Sequence, residues 1–273
     1  MQKITRITTQ KRNKHRYNIF LEQDGKESYG FSVEEDTLIN ERLHKGMEID
    51  QPSMDTLIKK DNLHKGYSLS LQYLSYRMRS SKEMYDYLIK KEFDEPQIQV
   101  IMERLKKEKW LDDQLFAEAF VRTKVQTTSK GPLLIKKELL EKGVSVQVAE
   151  NGLTNYSFEE QVAKACKLIS KKQQQSKKSS FKQQLNKIKQ SLLQKGYTQD
   201  AITEAITQST FDKDDEEEWA SVVYQGEKIL RRHQRKFSGF ELQHKVKASL
   251  YQKGFSFEVI EKFIDVYIKD VEQ

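Results

Sequence analysis

The side chains of this sequence whose placement is most informative about chemistry are cationic residues that fall in clusters. Each cluster follows the first helix that the sequence pattern predicts in one of four consecutive segments. The candidate binding residues are Arg77, Arg79, Arg122, Lys124, Lys130, Lys171, Lys172, Arg231, Arg232 and Arg235, with Lys177, Lys178 and Lys236 beside them. Arg and Lys bind phosphate and carboxylate groups, Arg through two parallel hydrogen bonds. The clusters therefore predict a polyanionic partner, although exposed helix ends favour Lys and Arg in any case.

The residue types that catalysis and metal binding need are scarce in this sequence. Its five histidines are His15, His44, His64, His233 and His244. No two of them are four residues apart, which is the spacing of a zinc-binding helix. The single Cys166 lies on a predicted apolar helical face, which is typical of a buried small side chain. Asp112 and Asp113 are better explained as caps of the first helix of the second repeat than as a catalytic pair. We therefore expect no enzymatic activity, no metal and no cofactor.

A repeated six-residue phrase indicates which elements position the cationic clusters. Residues 139–144 read LLEKGV, residues 192–197 read LLQKGY and residues 250–255 read LYQKGF. An apolar run followed by Lys and Gly is typical of a helix end, because Gly adopts positive φ at little cost. The Ser or Thr that follows each phrase suits the N-cap of a new helix. Each phrase therefore predicts the end of one helix and the start of another.

A fourth copy of the phrase, LIKKEF at residues 88–93, has Glu92 in the position of Gly. The copies recur with a period of roughly fifty residues, which indicates a repeat array. Each phrase ends the middle helix of a predicted group of three. One helix precedes that middle helix, and another follows the turn. The sequence therefore predicts four three-helix repeats, at residues 67–111, 112–156, 157–211 and 212–273.

Residues 1–66 have a different pattern. Apolar and polar residues alternate over residues 17–21 and 29–33, and the intervening Asp24-Gly25 predicts a β-hairpin. Ile4 and Ile7 indicate a further strand, and a helix is expected over residues 34–44. The predicted fold class is mainly α. Tandem three-helix repeats form an elongated curved array, and a small N-terminal β-ribbon and helix module precedes them.

The bulk composition indicates a charged protein with much surface per residue. Of the 273 residues, 33% are charged, the net charge is +7 and the mean hydropathy is −0.81. A single Cys excludes an internal disulfide framework. No apolar run approaches the ~20 residues of a membrane span, and the N-terminal residues lack the apolar core of a signal peptide. We expect a cytoplasmic monomer without a membrane partner.

The stretch from Tyr73 to Val144 resembles the RecX family of bacterial RecA modulators. YLSYRMRSSKEMYDYLIKKEF is similar to the family's opening segment of two arginines, a cap, an acidic residue and a helix. KEKWLDDQLFAEAFVRTK resembles its most recognisable segment, and SKGPLLIKKELLEKGV resembles its Gly-Pro-led helix that ends in Lys-Gly. The later turns and the N-terminal ribbon extend the resemblance to long Gram-positive members. Glu92 and Met84 depart from the family's usual Gly and Leu.

The resemblance implies a non-enzymatic protein that binds RecA, chiefly as the filament on single-stranded DNA. It also implies limited filament growth and damped strand exchange and RecA-stimulated repressor cleavage, hence roles in homologous recombination, DNA repair and the SOS response. Two other functions stay open: a helical repeat protein that contacts DNA weakly and non-specifically without RecA, and an adaptor for another partner. The turn-following segments SVQVAENGL and SFEVIEKFI offer few base-reading side chains, which disfavours sequence-specific DNA recognition.

Overall fold

Strands at the N-terminus form one antiparallel sheet. The computed structural model describes residues 1–11, 13–23, 25–173, 179–209 and 214–268. Its strands are β1 (Gln2–Thr9), β2 (Arg16–Gln23), β3 (Lys26–Glu34) and β4 (Glu48–Ile49), in the order β3-β2-β1-β4, with α1 (Glu35–Asn40) between β3 and β4. The core of this module is made by buried side chains of the sheet and the next helix: Ile4, Ile19, Leu21, Phe31, Val33, Leu43, Ile49 and Leu57.

The predicted ribbon is confirmed in its three long strands and corrected in detail. The predicted helix over residues 34–44 is shorter, because the chain turns at Arg42 with a φ of 52° and returns as β4. Tyr29, expected to face inward with Phe31, is 58% exposed. A register shift leaves Gly30 as an extra residue on β3, and this bulge places Tyr29 opposite Phe20, away from the core. Asp24 of the predicted turn lies outside the described residues.

Helices fill the rest of the described chain in groups of three. They are α2 (Gln51–Tyr76), α3 (Ser81–Lys90), α4 (Glu95–Lys107), α5 (Asp113–Thr127), α6 (Pro132–Glu141), α7 (Val146–Leu153), α8 (Phe158–Gln173), α9 (Phe181–Gln194), α10 (Gln199–Gln208), α11 (Asp215–His233), α12 (Gly239–Gln252) and α13 (Phe257–Tyr267). The second half of α2 with α3 and α4 makes repeat 1, and the later triplets make repeats 2, 3 and 4. This confirms a mainly α fold of three-helix repeats after a small strand module. The residue limits of the repeats stay a prediction. Helix α2 crosses the predicted limit between residues 66 and 67.

The repeated phrases end helices as predicted. The backbone φ is 78° at Gly143, 83° at Gly196, 83° at Gly254 and 66° at Glu92. The residue after the turn then bonds back to the helix at Phe93, Tyr197 and Phe255, whose N–H groups donate to the carbonyls of Leu88, Leu192 and Leu250 at 3.2, 3.1 and 3.3 Å. The predicted caps form at Ser145 and Thr198, whose side chains accept N–H groups of the following helices. Asp94 caps α4 after the fourth phrase in the same way. Ser256 occupies the N-cap of α13 without a side-chain cap bond.

Contacts divide the chain into two compact units. The first unit is Met1–Ala117 with Leu140–Ala149, and the second is Glu118–Leu139 with Glu150–Gln273. In the first unit, repeat 1 packs around the buried residues Met84, Leu88, Phe93, Ile98, Ile101, Met102, Leu105 and Leu111. In the second unit, repeats 3 and 4 each have their own apolar core. Cys166, which the sequence pattern places on an apolar face of α8, is partly buried against the core of repeat 3, beside the buried residues Val162, Ala165 and Ile169.

Candidate partner-binding surface

The loop before the second helix of a repeat is held by the Lys-Gly turn of the next repeat. Three hydrogen bonds do this: Ser80 Oγ to the Lys142 carbonyl (2.6 Å), Gly131 N–H to the Lys195 carbonyl (2.7 Å), and the Ser180 hydroxyl to the Lys253 carbonyl. Ser80, Gly131 and Ser180 each stand directly before the second helix of their repeat. The cationic clusters lie at or near these loops. The turn that ends a helix in one repeat therefore also holds the loop near the cationic cluster of the preceding repeat. This contact between turn and loop is called the joint below.

In repeat 1, Arg77 is held inside an ion pair. It is the C-cap of α2, and its guanidinium donates to the two oxygens of the Glu83 carboxylate at 2.9 and 3.0 Å. The ammonium of Lys142 donates to the same carboxylate at 2.7 Å. Burial acts to raise the pKa of Glu83, but the hydrogen bonds from Arg77 and Lys142 outweigh it and lower the pKa to about 2. The charge of Arg77 is therefore compensated within the protein.

Arg79 is held by aromatic rings rather than by a carboxylate. Its guanidinium carbon lies 3.8 Å from the centroid of the Tyr73 ring. Tyr73 in turn stacks on Tyr87 with centroids 4.1 Å apart and planes 5° from parallel, and Lys91 Nζ lies 5.6 Å from the Tyr87 ring. The cationic pattern predicted Arg79 but missed the tyrosines. The signal available in the sequence is YLSYRMR, in which Tyr73 and Tyr76 precede the two arginines with helical spacing.

In repeat 2, two cations are paired and one is available. Lys124 and Lys130 both contact the carboxylate of Glu138 on α6, with Lys124 Nζ at 2.9 Å. Burial acts to raise the pKa of Glu138, but hydrogen bonds from the two ammonium groups outweigh it and lower the pKa. Arg122 is exposed on α5 and forms no ion pair or hydrogen bond through its side chain with the described residues. Arg122 is thus the cation of this cluster with uncommitted donors.

In repeat 3, the cluster borders a groove. Lys171 and Lys172 lie in the last turn of α8 and line a groove of about 350 Å³. The other lining residues are Ser129, Leu168, Ile169, Ile188, Ser191, Leu192 and Lys195. Lys195 reaches across to donate a hydrogen bond to Ser129 Oγ at 3.0 Å. Lys177 and Lys178 lie outside the described residues.

In repeat 4, the cationic cluster lies at the exposed C-terminal end of α11. Arg231 is 78% exposed at its side chain and contacts Glu227, one helical turn earlier, at 3.5 Å. Arg232 and Arg235 are exposed and have no side-chain partner within the described ranges. Arg77 and Arg79 belong to the first unit, whereas the clusters of repeats 2 to 4 belong to the second. That the four clusters together form one continuous cationic strip stays a prediction.

The remaining candidates for chemistry have structural partners. Asp112 caps α5 as predicted, since its Oδ1 accepts the N–H groups of Gln114 and Leu115 at 2.8 and 3.0 Å. The prediction that Asp113 caps the same helix is wrong, because its carboxylate accepts the N–H of Ser81 at 2.8 Å and so caps α3 of the preceding repeat. Burial raises the pKa of the Cys166 thiol, which disfavours the reactive thiolate.

The described ranges contain neither a metal-binding cluster of side chains nor a helix that could span a membrane. No three His, Cys, Asp or Glu side chains in this part of the chain are placed to hold a metal ion. None of the helices in the same ranges has the length and apolarity that crossing a membrane requires.

Family models match this chain domain by domain. The model for the regulatory protein RecX N-terminal domain matches residues 2–50, and those for the first and second RecX three-helix domains match residues 67–105 and 112–153. The model for the third RecX three-helix domain matches twice, at residues 159–206 and 215–264. This chain belongs to the RecX family. The double match agrees with repeats 3 and 4 being two copies of one RecX domain type.

Individual RecX proteins match over nearly the whole length. The chain is 51% identical to the regulatory protein RecX of Oceanobacillus iheyensis over 271 residues, which are 99% of this chain and 100% of that protein. It is 46% identical to the RecX of Halalkalibacterium halodurans, with 96% and 98% covered.

Solved RecX structures share the fold. A crystal structure of regulatory protein RecX has a TM-score of 0.63 at 32% identity, covering 76% of this chain and 100% of that one. RecX from Lactobacillus salivarius has a TM-score of 0.55 at 37% identity, with 56% and 99% covered. The resemblance inferred from residues 73–144 is therefore confirmed.

Proposed function

We propose that this RecX-family protein regulates RecA by binding the filament that RecA forms on single-stranded DNA, and that it mainly inhibits the filament's recombinase and coprotease activities. The observation that carries the proposal is family membership over the whole chain, because proteins called regulatory protein RecX match it from end to end. Regulation by binding also suits a chain whose candidate acids, Asp112 and Asp113, serve as helix caps.

The cationic residues support a polyanionic partner. Arg122, Arg232 and Arg235 are exposed and have no side-chain partner in the described part of the chain. An uncommitted guanidinium can pair with a phosphate or a carboxylate in two-point geometry. A nucleoprotein filament presents both groups, on the DNA backbone and on acidic residues of the protein. The net charge of +7 adds long-range attraction toward such a surface.

A three-way binding measurement tests the proposal. The protein is titrated onto immobilised oligothymidylate alone, onto the same DNA coated with RecA of Oceanobacillus iheyensis and a slowly hydrolysed ATP analogue, and onto immobilised RecA alone. We expect the filament to be bound at least about tenfold more tightly than either component, a difference of about 1.4 kcal/mol. Inhibition of RecA-dependent strand exchange and repressor cleavage should follow the same concentration dependence. Equal affinity for naked DNA and filament would contradict the proposal.

The second candidate function is non-specific DNA binding without RecA. The exposed arginines favour it, since cations that contact phosphates bind any sequence and lose affinity as salt rises. The helices after the Lys-Gly turns, α7 and α13, carry few side chains that read bases, so selectivity for a sequence is not expected. Strong binding to naked oligothymidylate, unchanged by RecA, would establish this function in place of filament regulation.

A further inference from the structure

The corner between α2 and α3 combines an arginine, a pair of stacked rings and an exposed tyrosine. The Arg79 guanidinium carbon lies 3.8 Å from the centroid of Tyr73, Tyr73 stacks on Tyr87, and Tyr76 ends α2 with 76% of its surface exposed. We propose that this corner is the contact for single-stranded DNA, with Arg79 binding a backbone phosphate and Tyr76 stacking on an unpaired base. The proposal deepens the proposed function, because it assigns one face of the protein to the DNA that the filament holds.

The two arginines of this corner differ in what their donors can still do. Both terminal nitrogens of Arg77 donate hydrogen bonds to the Glu83 carboxylate, and one of them also donates to the carbonyl of Met78. Arg79 forms no ion pair and no side-chain hydrogen bond with any described residue, and because its Nε is buried, its terminal nitrogens are the donors left for a ligand. Its orientation comes from the ring of Tyr73, which attracts the cation without using its N–H groups. A guanidinium held in this way loses little conformational freedom when it pairs with a phosphate.

The aromatic component favours single-stranded DNA over the other polyanions. Tyr76 is more exposed than the other described tyrosines, and Met78 beside it is 47% exposed. Base stacking on an exposed aromatic ring requires a base whose face is open, which a single strand provides and a duplex hides. An acidic protein surface would engage Arg79 but would gain nothing particular from Tyr76. The dependence of binding on Tyr76 therefore distinguishes DNA from protein as the partner at this corner.

The local charge balance also favours a phosphate. The carboxylate of Glu83 on α3 is compensated by Arg77 and Lys142. Of the other charged residues of α3, Lys82 and Lys90 outnumber Asp86, and Lys91 follows the helix. The cations of this corner therefore outnumber the uncompensated carboxylates of α3, and Lys91 lies at the far end of the ring stack that begins with Arg79.

Variants with matched controls test the proposal. Binding to labelled oligothymidylate and to the RecA filament is measured for Arg79→Gln, Tyr76→Ala and Tyr76→Phe. The controls are Arg6→Gln, which removes an arginine that lies over the Phe20 ring but is paired with Glu27, and Tyr29→Ala, which removes a tyrosine that is 58% exposed. We expect Arg79→Gln and Tyr76→Ala to weaken oligothymidylate binding about tenfold. Tyr76→Phe and both controls should bind like the parent.

The salt dependence separates the two roles. Arg79→Gln should reduce the logarithmic salt slope by about 0.7, the value for one single-stranded phosphate, whereas Tyr76→Ala should leave the slope unchanged.

A second readout is photocrosslinking to oligothymidylate with a 5-iodouracil substitution inside the RecA filament. The parent and the Arg6→Gln control should crosslink through Tyr76, identified by peptide mass spectrometry, and Tyr76→Ala should lose this product.

Several outcomes would overturn the proposal while leaving the proposed function intact. Parent-like binding of both Arg79→Gln and Tyr76→Ala would do so, as would the absence of a Tyr76 crosslink in a filament that the parent binds. Equal binding to duplex and single strand would remove the assignment to unpaired bases. Filament binding that needs Arg79 but not Tyr76 would assign the corner to an acidic surface of the RecA protein. Failure of the parent to bind the filament at all would instead contradict the proposed function.

Discussion

The hydroxyl of Ser80 donates a hydrogen bond to the backbone carbonyl of Lys142, 62 residues later in the chain, across 2.6 Å. The same hydroxyl accepts the N–H of Glu83 and so caps α3, and the Glu83 carboxylate accepts the N–H of Ser80 in return. Ser80 is fully buried. One buried side chain therefore both starts a helix of repeat 1 and holds the turn that ends a helix of repeat 2.

Replacing Ser80 with Ala should lower the free energy of unfolding by about 1–2 kcal/mol, because both the cap and the joint lose their hydroxyl. Urea unfolding followed by circular dichroism measures the change. Ser256→Ala is the matched control, since Ser256 is also an N-cap residue but makes no side-chain cap bond. Its expected loss is below about 0.5 kcal/mol. Similar losses for the two variants would show that the Ser80–Lys142 bond does not stabilise the protein.

Gly196→Asn should destabilise the second unit by about 2 kcal/mol or more. Positive φ alone would make Asn a mild substitution, because Asn tolerates this conformation better than Val does. However, a Cβ at Gly196 would lie 2.5 Å from the backbone nitrogen of Leu134, which cannot move aside as a side chain can. Gly46→Asn is the control, because Gly46 also has positive φ but has no atom within 4 Å of a Cβ. Thermal unfolding midpoints that fall equally in the two variants would contradict the steric argument.

The repeats could be predicted from the sequence because helix ends and caps are local features. The joint between repeats could not, since no pattern in LLEKGV reveals that its carbonyl meets Ser80. Glu92 illustrates the difference. It has the predicted positive φ, yet it is exposed and belongs to the first repeat, so no preceding repeat packs against it. Gly is needed where the turn must also approach another helix closely, as at Gly143, where a Cβ would meet Lys82 at 2.4 Å.

The candidate site could be predicted as residue types but not as roles. The cationic pattern put Arg77 and Arg79 in one cluster with equal weight. Their difference depends on Glu83, which takes the donors of Arg77, and on Tyr73, which holds Arg79 through its ring. The ring of Tyr73 is in turn supported by Tyr87 from the next helix. Composition and spacing do not reveal such pairings, because they depend on how α2 and α3 cross.

Asp61→Ala should destabilise the first unit by about 3–5 kcal/mol. Asp61 is 1% exposed, and its carboxylate lies 2.8 Å from the guanidinium of Arg16 and accepts the N–H of Glu34 at 2.6 Å. Removing the carboxylate leaves a largely buried guanidinium whose remaining partners are Glu34 at 3.6 Å and the hydroxyl and carbonyl of Ser32. Asp55→Ala on the same helix removes an exposed carboxylate and should change stability by less than about 0.5 kcal/mol. Differential scanning calorimetry of both variants gives the comparison, and a small effect at Asp61 would mean that the ion pair is dispensable.

Stability of the first unit should fall in acid through Glu83. Its pKa is about 2 in the folded protein, below the ordinary value of 4.5, so its charge stabilises the fold at every pH above 4.5. That contribution is lost as the pH falls from 4.5 toward 2. Glu83→Gln should therefore be less stable than the parent at pH 7, and its stability should depend less on pH within this window. Glu92→Gln should keep the parent's dependence. Parallel pH profiles for the parent and Glu83→Gln would contradict the role assigned to this carboxylate.

Charge reversal of two exposed arginines tests the cationic clusters of the second unit. Arg122→Glu with Arg232→Glu should weaken binding to the RecA filament at least about tenfold, because neither side chain has a partner in the described part of the chain that the change would disturb. Arg77 is unsuitable for this test, since reversing it would place two carboxylates together at Glu83. Arg42→Glu is the control, because Arg42 is exposed in the N-terminal module and its side chain has no partner among the described residues.

Salt titration of the reversed variant identifies what these two arginines contact. If they contact DNA, the logarithmic salt slope should fall by about 0.7 for each single-stranded phosphate contact that is lost, on the filament and on naked oligothymidylate alike. If they contact carboxylates of RecA, filament binding should weaken while binding to naked oligothymidylate stays near that of the Arg42→Glu control. Filament binding equal to the parent's would mean that the clusters of the second unit are solvated helix ends, and that filament recognition depends on other surfaces.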